Sequence, residues 1–101
     1  MSEKSFYTEI ITPEKRLYAG NLESLIVKTS DGFEGFLAGH SWCCKLLAEN
    51  GEAKLRPVGD TEGFDILLKG GYIDVAEHTI IYADKAEWKD EQQRRYYEDI
   101  D

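Results

Sequence analysis

Asp31-Gly32-Phe33-Glu34-Gly35-Phe36-Leu37-Ala38-Gly39-His40 packs three glycines, two phenylalanines and a histidine into ten residues, two positions before Trp42. Glycine lacks a Cβ, so it permits positive φ and close backbone approach, and tight loops use it for that. Large aromatic side chains on such a loop are costly to leave in water, so something must cover them. Period-2 spacing puts Phe33, Gly35 and Leu37 on one side and Glu34 and Phe36 on the other. Each side carries one ring. The rings plug the core of the same domain, or they form a hot spot for a partner protein with Trp42 beside them. The residues alone leave both readings open.

Working outward, the chain reads as short strands punctuated by turns. Phe6–Ile11 is rich in aromatic and β-branched residues and stops at Thr12-Pro13, where Pro13–Arg16 forms a turn. Leu17–Ala19 and Leu22–Lys28 read as two strands separated by Gly20-Asn21, the second covered on both faces. Trp42–Leu47 is a further apolar segment, and Ala48–Gly51 closes a hairpin with Asn50-Gly51 as its turn signal. Charged Glu52, Lys54 and Arg56 alternate with Ala53, Leu55 and Pro57, the pattern of a half-buried strand. After a polar turn at Gly59–Gly63, Phe64, Ile66 and Leu68 alternate in the same way. Gly70-Gly71 is a bulge or tight connection before Tyr72–Glu77, and Ile80–Ala83 follows.

Strands this short and frequent imply an all-β chain, a small antiparallel two-sheet β-sandwich. The texture changes after Asp84. Ala86–Asp99 has no glycine or proline and is rich in helix formers, so it reads as a short C-terminal helix with Asp84 as N-cap and Glu87 in the capping-box position. Trp88, Tyr96 and Ile100 would share one face of it. The domain division is 1–85 for the sandwich and 86–101 for a helix or tail.

Composition bounds the function. At 101 residues the chain is one domain. A formal net charge of −8 argues against nucleic acid and anionic lipid as partners. No apolar run is long enough for a signal peptide or a membrane span, so a soluble, cytosolic protein with no direct membrane insertion is expected. Cys43 and Cys44 are the only cysteines; as strand neighbours their thiols diverge, which fits a reducing compartment.

Catalysis and metal binding find little support. His40 with Cys43 or Cys44 forms the barest outline of a thiol nucleophile and base, but no orienting Asn or Asp stands out, and small buried cysteines are commonly inert. Zinc wants four ligands at recognisable spacings, which His40 and His78 with diverging thiols do not supply. Gly70-Gly71 lacks the Lys-Ser/Thr and following helix of a phosphate loop. No catalytic residue, metal or cofactor is expected.

Val27–His40 resembles the "VPTxDGEFGILPGH" segment of the epsilon subunit of F-type ATP synthases, called delta in mitochondria. Ile11–Gly20 is similar to that family's "VTPEGxxYxG", Asn21–Ile26 to "xVESVI", Leu68–Val75 to "VSGGFVEV" and Ile80–Glu87 to "VTVLADxAE". The matches run in order from Phe6 to Glu87. The resemblance implies a two-sheet β-sandwich without catalytic residues, set at the foot of the central stalk. There it would touch the gamma subunit and the c-ring and help turn proton-driven rotation into torque. By motif position it implies that Asp31, Gly32, Phe33, Glu34, Gly35, Phe36, Gly39 and His40 make the partner contacts, and the aromatic composition beside them adds Trp42. It also implies a location on the cytoplasmic face of a bacterial inner membrane, peripheral through the synthase.

Three departures stand out. The family's Gly-Glu-Phe-Gly is here Gly32-Phe33-Glu34-Gly35, which exchanges the residue that faces the partner. Its proline is Ala38, and its "APLLT" is Ser41–Lys45. A fourth difference is length: many family members continue into a two-helix hairpin that binds ATP and inhibits hydrolysis, so a chain naturally ending here would be a short form without that inhibition. The alternative is a stand-alone sandwich module, derived from that domain, with another protein partner.

Overall fold

Inward-facing side chains recur at every second residue along most of the chain, and they build one core between the halves of a folded-over sheet. The computed structural model describes residues 5–98. In order, the elements are β1 (Phe6–Ile11), β2 (Arg16–Thr29), β3 (Gly32–Phe36), β4 (Cys43–Leu46), β5 (Gly51–Pro57), β6 (Phe64–Lys69), β7 (Tyr72–Val75), β8 (Thr79–Tyr82), β9 (Lys85–Trp88) and α1 (Glu91–Glu98). The hydrogen-bonded path runs β4-β7-β8-β1-β2-β5-β6-β9, with β3 also on β2. Ile10, Leu22, Leu25, Leu55, Phe64, Ile66, Ile73 and Ile81 are wholly buried in the core.

The fold is the expected β-sandwich with one short C-terminal helix, and within it several local expectations change. All pairs are antiparallel except β1 with β8, which run parallel from Thr8↔Thr79 to Ile11↔Tyr82. A parallel pair needs a long crossover, and the elements between β1 and β8 supply it.

The break expected at Gly20-Asn21 is absent. Gly20 pairs with Thr8 and Asn21 with Tyr7, so β2 runs unbroken for 14 residues. Its first half pairs with β1 and its second with β5 and β3, with a bulge between Leu22 and Ser24 where it changes partners. Ala48–Gly51 does not close a hairpin either. β4 pairs with β7 and β5 with β2, so the segment crosses between the two halves. Its backbone is held by Leu47 N–H to Gly71 O (3.0 Å) and Ala48 N–H to Lys28 O (3.1 Å).

The helix starts later than its composition suggests. Lys85–Trp88 is a strand, so the sheet crosses the expected 85/86 division. Pairing with β6 sets Trp88 opposite Ile66 and Ala86 opposite Leu68, and burial there outweighs helix propensity. Asp90, not Asp84, caps α1: its Oδ1 accepts from Gln92 N–H at 2.9 Å and its carbonyl from Arg94 N–H at 3.1 Å.

The packing face differs as well. Tyr97, not Tyr96, lies on the sandwich, its ring 4.3 Å from that of Phe64, which also meets Trp88 (4.9 Å) and Tyr18 (5.1 Å). Gln93 donates to the Gly63 carbonyl in the β5–β6 turn and accepts from Asp65 N–H on β6, and the Tyr97 hydroxyl donates to Asp60. That bond, then the N–H groups of Glu62 and Gly63, hold the Asp60 carboxyl below the usual carboxylate range. Burial raises the Tyr97 phenol. Ile100 lies outside the described residues.

Candidate interaction surface

The glycine-rich stretch is two turns joined by a strand. Asp31 sits in the β2–β3 turn, Gly32–Phe36 is β3, and Leu37–His40 forms a second turn closed by His40 N–H to Leu37 O at 3.1 Å. Gly32 and Gly39 take φ of 115° and 85°, as the turns require, whereas Gly35 is an ordinary strand residue. The site residues are therefore divided between the ends of β3. Asp31 and Gly32 lie at one end; Gly39, His40 and Trp42 follow the other.

At the first end a polar clamp fixes the hairpin. Thr29 Oγ1 accepts from Asp31 N–H at 3.1 Å and lies 3.0 Å from the Gly32 carbonyl and 3.1 Å from Glu34 Oε2. Lys45 Nζ sits 2.9 Å from Glu34 Oε1 and 3.1 Å from Oε2. The bond from Lys45, helped by Thr29, lowers the Glu34 pKa, and Glu34 in turn raises that of Lys45. Glu34 thus faces β4 within the molecule.

Alternation decides the two rings. Phe36 is buried at 1% exposure, and Phe33, three residues earlier, is 61% exposed with Lys28 Nζ 5.7 Å from its ring centroid. One ring is a core plug and the other faces out. Leu37, at 62%, shares the outward face with Phe33 and Gly35. Across the ladder Gly35 is opposite Ile26, a residue 43% exposed. Ile26, Phe33 and Leu37 form a patch that alternation within β3 only half reveals, because Ile26 joins it through register with β2.

At the second end the His40 ring packs 4.7 Å from Phe36, and its Nδ1 is 2.7 Å from the Ser41 carbonyl, which accepts its proton. Trp42 is 73% exposed. Leu37, His40 and Trp42, with Tyr7 and His78, line a shallow concavity of about 690 Å³. The Tyr7 and His78 rings meet edge-on at 5.0 Å, and the Tyr7 hydroxyl donates to Glu9 at 2.9 Å, a bond that raises the phenol's pKa.

A second outward surface escaped the sequence reading. Leu46 pairs with Tyr72, Tyr72 with Tyr82 and Tyr82 with Ile11, which makes an apolar row across β4, β7, β8 and β1. The Tyr72 and Tyr82 rings stack at 4.9 Å, and Leu46, Tyr72 and Tyr82 are exposed. Alternation within each strand hinted at outward positions, but only register aligns them, and register comes from distant pairings.

Cys43 is half-buried and Cys44 exposed, as divergent neighbours on β4. Among the described residues, no three His, Cys, Asp or Glu side chains converge to hold a metal ion. No helix among them is long and apolar enough to cross a membrane.

Residues 5–89 match the family described as "ATP synthase, Delta/Epsilon chain, beta-sandwich domain". The ATP synthase epsilon chain of Corynebacterium urealyticum is 35% identical over 86 residues, covering 82% of this chain and 67% of that relative. That of Caldanaerobacter subterraneus subsp. tengcongensis is 29% identical over 90 residues, covering 88% and 64%. The chain thus spans about two thirds of the length of these relatives. In fold it resembles a chain in the Euglena gracilis mitochondrial ATP synthase (TM-score 0.78, 15% identity, covering 95% of this chain and 62% of that one). A chain from the central stalk and c-ring of the Tetrahymena thermophila mitochondrial synthase also aligns (TM-score 0.67, 19% identity, 90% and 72% covered).

Proposed function

Because the chain belongs to the delta/epsilon β-sandwich family of ATP synthase chains, we propose that it is a non-catalytic rotor subunit that fastens the gamma subunit to the c-ring. The observation that carries the docking role is Phe33, a ring held outward on a hairpin that is itself clamped by Thr29, Glu34 and Lys45. A rigid mount removes much of the ordering cost of association, and an aromatic ring supplies contact area with few torsions to freeze. Such a subunit transmits load; the chemistry of ATP belongs to other chains. It would lie peripherally, on the cytoplasmic face of a bacterial inner membrane.

Two surfaces are available for two neighbours. The hairpin with Ile26, Phe33 and Leu37 is one, and the Leu46–Tyr72–Tyr82 row is the other. We assign the hairpin to the c-ring, by its motif position, and the tyrosine row to gamma. Purification of the synthase from the source cells through a tag on this chain should recover gamma and c subunits in fixed stoichiometry. Absence of both under native conditions would refute the assignment. A second reading, a sandwich module with a different protein partner, is favoured by the exchange of Phe33 and Glu34 and by Trp42 in place of proline; the same purification would then return that partner alone.

A further inference from the structure

Gly35 leaves a gap in the outward face of β3. The space where its Cβ would stand is open for 4 Å, and the residue opposite it is Ile26. Phe33 and Leu37 stand two residues away on either side, about 7 Å along the strand in each direction. The result is a notch one residue wide, with the Gly35 backbone as its floor, Phe33 and Leu37 to either side along the strand and Ile26 beside it on β2. A branched aliphatic side chain fills such a space.

Charge on the same face limits what accompanies it. Lys54 is 4.0 Å from Asp65, Arg56 is 2.6 Å from Glu23, and Lys89 is 3.2 Å from Glu52. Lys28 has no carboxylate partner among the described residues and lies over Phe33 instead. Glu34, the acid on β3, is turned inward and neutralised by Lys45, while Asp31 on the turn acts on Lys45 too. One uncompensated cation therefore borders the notch.

Resting on the docking role proposed above, the geometry points to a partner-protein segment that seats an aliphatic side chain over Gly35 and sets a carboxylate against Lys28. Lipid and nucleic acid fit poorly, because a single lysine beside the notch, on a chain of net charge −8, gives too little attraction.

The test is amide chemical-shift mapping of the full chain with three short blocked peptides at millimolar concentration. Their cores are Glu-Leu-Glu, Lys-Leu-Lys and Glu-Ala-Glu. The first should shift Ile26, Lys28, Phe33, Gly35 and Leu37; the second should bind about threefold more weakly, as an exposed ion pair warrants, and the third should give no shift. Lys28→Glu should invert the order of the first two. Gly35→Leu, which meets open space, should abolish binding and leave the melting temperature in place. Absent shifts, shifts centred on Leu46, Tyr72 and Tyr82, or undiminished binding by Gly35→Leu would overturn the proposal. If the notch fails while gamma and c subunits are still recovered from cells, only the notch is refuted. If it binds while neither is recovered, only the stalk role is.

Discussion

Phe33 and Phe36 are the same residue type three positions apart, and truncating each to alanine should give opposite results. Phe36 is 1% exposed, so Phe36→Ala leaves a core cavity and costs about 3–5 kcal/mol. At about 4–8 °C per kcal/mol for a domain of this size, the melting temperature should drop by more than about 12 °C. Phe33 is 61% exposed, with about four-tenths of the residue covered. Full burial of such a side chain is worth about 1.5–3 kcal/mol, which limits the cost of Phe33→Ala to about 1 kcal/mol. Its effect should appear in binding, where loss of an anchoring ring costs about 2 kcal/mol or more, at least tenfold in Kd. Thermal melts by circular dichroism paired with titration against the purified partner separate the two quantities. A Phe33→Ala variant that melts as early as Phe36→Ala would make Phe33 a core residue and refute the docking role of the hairpin.

Gly71→Ala should destabilise the fold by at least about 1–3 kcal/mol, because Gly71 has φ of 99° and a Cβ there collides with the Tyr82 carbonyl; an unchanged denaturant midpoint would refute this. Asp60 has a depressed pKa in the folded state, so its contribution is present above the unfolded value of about 3.9 and lost as pH falls through the folded one. Asp60→Asn should therefore lower the urea midpoint at about pH 6 and converge with the parent toward about pH 2. A gap that stays constant across that range would show that the Asp60 charge is not the source.

Most strands were legible because alternation and turn residues are local signals. Ala53, Leu55, Phe64, Ile66 and Leu68 declared their faces, and so did Phe33 against Phe36. What misled was local chemistry overruled by distant partners. Lys85–Trp88 carries helix formers yet completes a ladder on β6, and Asn50-Gly51 looks like a hairpin turn although β4 and β5 belong to different pairings. Gly20 looked like a break, but Thr8 on β1 pairs with it. In the interaction surface the same limit applied. That Phe33 and Phe36 face opposite ways follows from period two, but which of them is outward is decided by the fold, and Ile26 beside Gly35, and Leu46 beside Tyr72, require a register that no single segment contains.

The uninterrupted passage of β2 through both halves of the sandwich has a mechanical consequence. A push or pull delivered at the Asp31 turn enters the end of a strand that is bonded to β3 and β5 and, farther along, to β1. The load therefore travels down a covalent chain and spreads sideways as shear over many hydrogen bonds. Shear of that kind loads the bonds of a ladder together, whereas peeling apart two separately closed sheets would break them one after another. β2 is in this sense a tie rod, and the hairpin is its handle.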